Sequence, residues 1–462
     1  MSADPIVLPI ATIQPDFTAV VSDVREGVVS EDSFWLSCYK TGESSVHGKV
    51  YVALDETDRS LVRLQGGGGV QIDFDGDATY AAACPSLHAH PTRLVVPTDV
   101  YTDSSILDPR KSHKITAFDV APDGTQFATG YYDGSVCLHS ISIKTAQPAI
   151  CKPHLSTITS LQFFPSSRVL LTAGTDFSLS ILPADPPYAS SDSPGASLAP
   201  VRILRGHTRG VTSTAIISRG RNILSGSKDG TLRLWDVAAG NEIRLHAAGG
   251  AAYIPILSLD IGERTPNCHF DDIADMPSLT DAVEVDTADK VVFCGLLNGS
   301  FEVYDLRVKQ SAFRSTPDPS ARFPLQSISY APSHDLLATG ASNGLISVYD
   351  TRSFSSPLTT FKRNGASIED LRLVTLWSSS FALPRSSDCA GMDVDGDREE
   401  VGLAIATEDG LPYVAHVRPS GPSVRGELVG TDCDPVRFVR VLQEKEIWTA
   451  ADDGAVRRYQ MR

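Results

Sequence analysis

A strand–turn–strand unit recurs along the last three quarters of this chain, and it constrains the fold more than any other feature. The seven copies read FATGYYDGSVCLHS, LLTAGTDFSLSIL, ILSGSKDGTLRLWD, VFCGLLNGSFEVYD, LLATGASNGLISVYD, LAIATEDGLPYVAHV and IWTAADDGAVRRY. Their turn residues are Asp133, Asp176, Asp229, Asn298, Asn343, Asp409 and Asp453, separated by 43, 53, 69, 45, 66 and 44 residues. Asp-Gly and Asn-Gly supply the positive φ that a two-residue hairpin turn demands. A further alternating run precedes each hairpin: ITAFDVAP, ITSLQFFP, VTSTAIIS, ILSLDIG, LQSISYAP, EDLRLVT and VRFVRVL.

Three of the spacings fall near the ~40–45 residues of one propeller blade, and the longer ones read as blades with inserted loops. The pattern predicts an all-β chain, a seven-bladed β-propeller over residues 92–462 preceded by a small mostly-β domain over 1–91. The run TRLVVPTDVYT, residues 92–102, is the expected closing strand. In the N-terminal part, FTAVVSDV, SFWLSCYK, KVYVALDE, LVRLQG and VQIDFDG alternate in the manner of strands. Gly66 to Gly69 lack the Gly-Lys-Ser/Thr of a phosphate loop and read as a hairpin turn.

The third unit, RGHTRGVTSTAIISRGRNILSGSKDGTLRLWD, opens on Gly206-His207 and closes on Trp235-Asp236. It resembles a WD repeat. That resemblance implies a buried hydrogen-bonded set of His207, Ser225 (or Ser227), Asp229 and Trp235, a structural role and not a catalytic dyad. Other units keep parts of the signature, with Tyr304-Asp305 and Tyr349-Asp350 in place of Trp-Asp.

Motifs that would mark chemistry are missing. The acidic runs at Asp73–Asp77 and Asp393–Glu400 place Gly at the fourth position, where a calcium loop needs it at the sixth. His88-Ala-His90 lacks a third ligand at zinc-like spacing. No nucleophile elbow, kinase set or zincin motif occurs. The expectation is a non-enzyme with no cofactor and no metal. Eight scattered cysteines without a CxxC pair read as reduced thiols, placing the chain in the cytoplasm, with the nucleus as a second compartment. No apolar run approaches a bilayer span, and no signal-peptide pattern opens the sequence.

Charge then suggests a partner. With 40 Lys+Arg against 56 Asp+Glu, the net charge of −16 disfavours nucleic acid and favours a basic protein surface. Residues 260–290 carry nine acids against two bases and residues 388–400 six against one, and both read as mobile acidic flaps. Glu369, Asp370, Glu408, Asp432, Asp434 and Asp452 fall near the turn side of the sixth and seventh units and are expected to form an acidic docking patch. Arg209 and Lys228 form the opposite pole. The wider cluster Arg202, Arg205, Arg219, Arg221 and Arg233 lacks interleaved aromatics for base stacking.

Beyond the general WD pattern, GHTRG at 206–210, TAI at 214–216, RGRN at 219–222 and the closing DGTLRLWD resemble the proteasomal ATPase-associated factor family. The resemblance implies an assembly chaperone, monomeric by itself, that holds the C-terminal domain of a proteasomal ATPase subunit. Two alternatives stand beside it. Tyr304-Asp305-Leu306-Arg307 and Tyr349-Asp350-Thr351-Arg352 approximate the adaptor motif of cullin-ligase substrate receptors, and the third unit's cations suit an RNA-processing scaffold.

Overall fold

Aliphatic residues at alternate positions, broken by a tight turn, dictate hairpins, and each of the seven units forms one. The computed structural model describes residues 4–55, 61–74, 79–102, 114–144, 147–185, 199–266, 281–308, 310–316, 322–377, 399–418 and 420–461. Each hairpin is the middle of a sheet whose first, lead strand is the run that precedes it. The lead strands are Ala117–Val120, Ile158–Phe163, Val211–Ile217, Ile256–Glu263, Leu325–Ala331, Ile368–Trp377 and Val436–Leu442, defining sheets one to seven.

In six of the hairpins a glycine follows the turn Asp or Asn, at φ between 75° and 84°. The second unit has Phe177 there instead, at φ 69°. A Cβ in the left-handed region costs roughly 1–2 kcal/mol, and Phe177 regains little because it is half exposed. Phe177→Gly is therefore expected to stabilise the chain by about 1 kcal/mol, read as a higher urea midpoint with unchanged slope.

Lead strands of successive sheets lie side by side and are joined by side chains. Thr159 Oγ1 donates to the Val211 carbonyl (2.6 Å), Thr212 Oγ1 to Ile256 (2.8 Å), Ser258 Oγ to Leu325 (3.1 Å) and Ser327 Oγ to Ile368 (3.4 Å). Deeper along the strands, backbone N–H groups donate the other way: Phe163 to Asp119, Tyr330 to Asp260 and Val439 to Asp370. Arg440 of the seventh lead strand donates to Asp119 of the first (3.0 Å) and to Asp370 of the sixth. Burial pushes the Asp119 and Asp260 carboxyls up, against the pull of Arg440 and Arg372 respectively.

The first ninety residues supply an eighth sheet, Ile10–Ile13, Glu31–Tyr39, Val46–Leu54 and Val62–Gly66, and strands that extend two of the others. Ile6–Val7 adds in parallel to Thr359–Lys362 of sheet five. Ala89–Val95 adds in parallel to Ser423–Leu428 of sheet six, followed by Tyr80–Cys84 and Gln71–Phe74. FTAVVSDV, read as a strand, is the start of helix Phe17–Arg25. Phe17, Val21 and Val24 are its buried residues, a helical spacing that packs against Phe34, Leu36 and Val50 of the eighth sheet. The tetraglycine run joins the eighth sheet to Gln71–Phe74 of sheet six and is a crossing between sheets, not a hairpin.

This topology corrects the expected closed seven-bladed β-propeller. The described strands form eight separate sheets, none closed on itself, and two of them hold five and seven strands. The outer edges of sheets five and six are instead covered by N-terminal strands, which removes their unpaired backbone groups. The run 92–102 is divided accordingly: its first residues belong to Ala89–Val95, while Asp99–Thr102 pairs antiparallel with Ala455–Gln460 of sheet seven. That last pair is fastened by Arg458, which donates to Asp99 (3.2 Å) and Glu446, and by Tyr101 stacked on Trp448 at 5.8 Å.

Part of the first acidic insert is held in place. One terminal nitrogen of Arg244, Nη2, donates to both carboxylate oxygens of Glu284 at 2.6 Å, and Asn222 bonds the backbone of Val283 and Val285. Residues 281–289 are thus anchored and not a flap, whereas 267–280 and 378–398, with Cys268, Cys389 and Asp393, lie outside the described residues. Asp75 and Asp77 do as well.

Candidate functional site

A β-bulge interrupts six lead strands at the same place, after Ile158, Val211, Ile256, Leu325, Ile368 and Val436. A bulge leaves one residue out of the ladder and re-aims it. The residues so released, Thr159, Thr212, Leu257, Gln326, Glu369 and Arg437, converge on one cavity of about 790 Å³. Thr116 of the first sheet and the pre-turn residues Tyr132, Lys228, Leu297 and Asp452 complete its wall.

The cavity's charge is mixed. Arg209, Lys228 and Arg437 face Glu369 and Asp452, three cations against two carboxylates. Arg437 lies between both acids, at 2.9 Å from Glu369 and 3.0 Å from Asp452, and Lys114 reaches Asp452 at 3.1 Å. Against the opposing effect of burial, these two cations hold the Asp452 carboxyl below its usual range. Arg209 and Lys228 are exposed and make no ion pair among the described residues. They are the cavity's cations that no carboxylate among the described residues pairs with.

The other acids expected on the docking patch are dispersed. Asp370 is committed to Arg440 and the Val439 N–H in the joint between sheets six and seven. Glu408 is exposed beside the sixth turn, and Asp434 backs onto Gly410 of that turn. Asp432 lines a different groove, between sheet six and the eighth sheet.

In the third sheet, His207 Nδ1 meets Asp229 at 2.9 Å and Nε2 meets Ser225 Oγ at 2.7 Å, while Trp235 Nε1 donates to the same Oγ at 2.9 Å. Burial opposes ionisation of Asp229, yet bonds from His207, Thr231 and the Thr208 N–H hold its carboxyl far below the usual range. An equivalent set in the second sheet escaped the sequence reading: His154 bonds Asp176 (2.9 Å) and Thr172 (2.9 Å), and Ser178 bonds Asp176 (2.9 Å). Its signal was the spacing, since His154 precedes Asp176 by the same 22 residues that separate His207 from Asp229. Both sets are closed hydrogen-bond circuits around half-buried or buried groups, which is what stabilises a sheet interior.

Neither adaptor-like arginine is uncommitted: Arg307 forks onto Asp305 and Arg352 onto Asp350. Of the third unit's cations, Arg221 pairs with Asp236 and Arg233 with Glu242. Among the described residues no cluster of three metal-ligating side chains occurs, and no helix is long and apolar enough to cross a membrane.

Three stretches, residues 105–140, 146–181 and 198–236, match the family described as WD domain, G-beta repeat. The chain is 31% identical over 126 residues to human Proteasomal ATPase-associated factor 1, covering 27% of this chain and 25% of that protein. It is 27% identical over 188 residues to a CCR4-associated factor 4 homolog of Candida glabrata, covering 40% of this chain and 30% of the relative. To the Zea mays guanine nucleotide-binding protein subunit beta it is 23% identical over 355 residues, 72% of this chain and 82% of that one. The first two matches thus span about a quarter to a third of those relatives' length. The chain carries WD repeats, which are non-catalytic protein-interaction modules. No feature of the described fold is particular to a proteasome component, so the structure replaces the proteasome terms expected from the sequence with the broader one, protein binding.

Proposed function

We propose that this chain is a protein-binding scaffold whose primary docking surface is the bulge-lined cavity, and that its partner is the C-terminal domain of a proteasomal ATPase subunit, held during assembly. The observation that supports the surface is convergence: six bulges aim one residue each into a single cavity. The partner rests on the match to human Proteasomal ATPase-associated factor 1. A cytoplasmic chain, with the nucleus as second compartment, fits that partner.

Docking would set Arg209 and Lys228 against acids of the ATPase domain, and Glu408 and Asp434 against its bases. Opposite charges at two poles orient a partner as well as attract it. The test is a pull-down of the full chain against each isolated ATPase C-terminal domain at 50 and 300 mM salt. One subunit should be retained, more weakly at high salt, since exposed charges are screened within about 8–10 Å. Reversing Arg209 and Lys228 to Glu should cut retention about tenfold or more, as loss of centrally placed anchors does. Retention of no subunit would remove the ATPase reading. Retention that ignores the double reversal would move the interface off the cavity.

A further inference from the structure

The eighth sheet has one covered face and one open face. The helix Phe17–Arg25 packs on the first, against Phe34, Leu36 and Val50. On the other, strand alternation places Trp35, Tyr39 and Tyr51, which are 51%, 38% and 56% exposed. Single exposed aromatics are ordinary, but three on one sheet face form a patch that marks contact surfaces.

That patch does not open onto empty solvent. Trp35 and Tyr39 form one wall of a groove of about 680 Å³, and the sixth-sheet turn with residues 431–433 forms the other. Four charged residues line it: Lys40, Glu43, Asp409 and Asp432. Lys40 and Glu43 neutralise one another at 2.7 Å. Asp409 accepts from Asn364 (2.6 Å) and from the Leu411 N–H (3.2 Å), and neither it nor Asp432 forms an ion pair among the described residues. The groove therefore sets an aromatic wall opposite two uncompensated carboxylates.

Its walls are fixed to each other. Arg363, at the end of sheet five, donates to the Pro9 carbonyl (3.1 Å) and forks onto Glu427 of sheet six, which also accepts from the Ala11 N–H (3.1 Å). Thr41 Oγ1 closes the far end on the Arg363 carbonyl (2.7 Å). A preformed groove spends little ordering entropy when it is filled.

We propose that this groove docks an extended segment of a partner protein that carries aliphatic residues and at least one lysine or arginine. The aliphatic side chains would lie on Trp35 and Tyr39, and the cation would sit between the aromatic wall and Asp432. Charge complementarity selects this occupant: an acidic segment would meet Asp409 and Asp432 unpaired, and aromatic faces attract cations as well as aliphatic groups. The surface is separate from the bulge-lined cavity, so the two can be tested independently.

The probe is a fluorescein-labelled octapeptide, Leu-Lys-Pro-Leu-Lys-Leu-Pro-Lys, beside a counterpart with Glu at each Lys. Anisotropy with the full chain reads affinity. Alkylation of Cys433, an exposed free thiol on the groove wall, by iodoacetamide reads location. The lysine peptide should bind, weaken with salt and slow Cys433 alkylation about fivefold or more at saturation. Trp35→Ser and Asp432→Lys, both at exposed positions, should each weaken it about tenfold while leaving the melting temperature unchanged. The double reversal at Arg209 and Lys228 should leave it intact. No binding, equal binding of the glutamate peptide, unhindered alkylation, or indifference to both groove variants would each overturn the proposal.

Discussion

Replacing Arg244 by alanine is expected to lower the unfolding free energy by about 3–5 kcal/mol. Arg244 lies on Asn241–Ala247 of sheet three, its side chain 7% exposed, and Glu284 beside it is 2% exposed. Two carbonyls, of Leu306 and Val308, take its other nitrogen at 3.1 Å each. Truncation strands a buried carboxylate, and a charge left alone in low dielectric costs far more than the pair contributes. The Arg244→Ala, Glu284→Ala double variant should therefore fall well short of the sum of the two singles. A urea-denaturation cycle measures this coupling, and strict additivity would show that the pair carries no joint role.

Acidification should destabilise the same neighbourhood. His246, two residues on, is buried against Tyr304 at 5.1 Å. Burial first, and then the Arg244 charge, lower its pKa from 6.5 to about 4, while Glu302 pulls weakly the other way. Glu302 is itself engaged by Arg314 (2.8 Å) and the Gly249 N–H (2.8 Å). A base with a depressed folded pKa stays neutral while the unfolded chain takes up a proton. Stability is thus full above pH 6.5 and falls as pH drops toward 4, by roughly 3 kcal/mol in total. His246→Phe should flatten the stability profile across that window. Below it, Asp229 and Asp176 act with the same sign. Their carboxyls are held low in the fold, so their contribution, present at neutral pH, drains away only below about pH 4.

The hairpins were legible because Asp-Gly and Asn-Gly leave the backbone few alternatives. The exception at Asp176 was carried by its flanking apolar runs, and its cost surfaces as the left-handed Phe177. The bulges were not legible. Each bulge leaves one residue out of the ladder, so which lead-strand side chains reach the cavity, Glu369 among them, could not be read from alternation alone. Glu369 enters the cavity and Asp370 the joint. Hindsight supplies the cue: an aliphatic residue, one variable residue, then most often Ser or Asp, as in Ile158-Thr159-Ser160 and Ile368-Glu369-Asp370. The helix Phe17–Arg25 was hidden by valines that favour strands, although Phe17, Val21 and Val24 already carried the helical period. Strands crossing from the first ninety residues to sheets five and six leave no local mark at all, since parallel partners hundreds of residues apart share no turn.

The pairing of Asp99–Thr102 with Ala455–Gln460 also has a consequence during synthesis. A ribosome delivers the first partner about 350 residues before the second. Throughout that interval the early strand has no hydrogen-bonding mate, and Tyr101 lacks the indole of Trp448 to rest on. Sheets one to six can assemble behind the exit tunnel as each hairpin emerges, but the seventh waits for Ala455 onward. A nascent chain stalled before that point would expose an unmated strand and an open aromatic ring to chaperones and to its own copies.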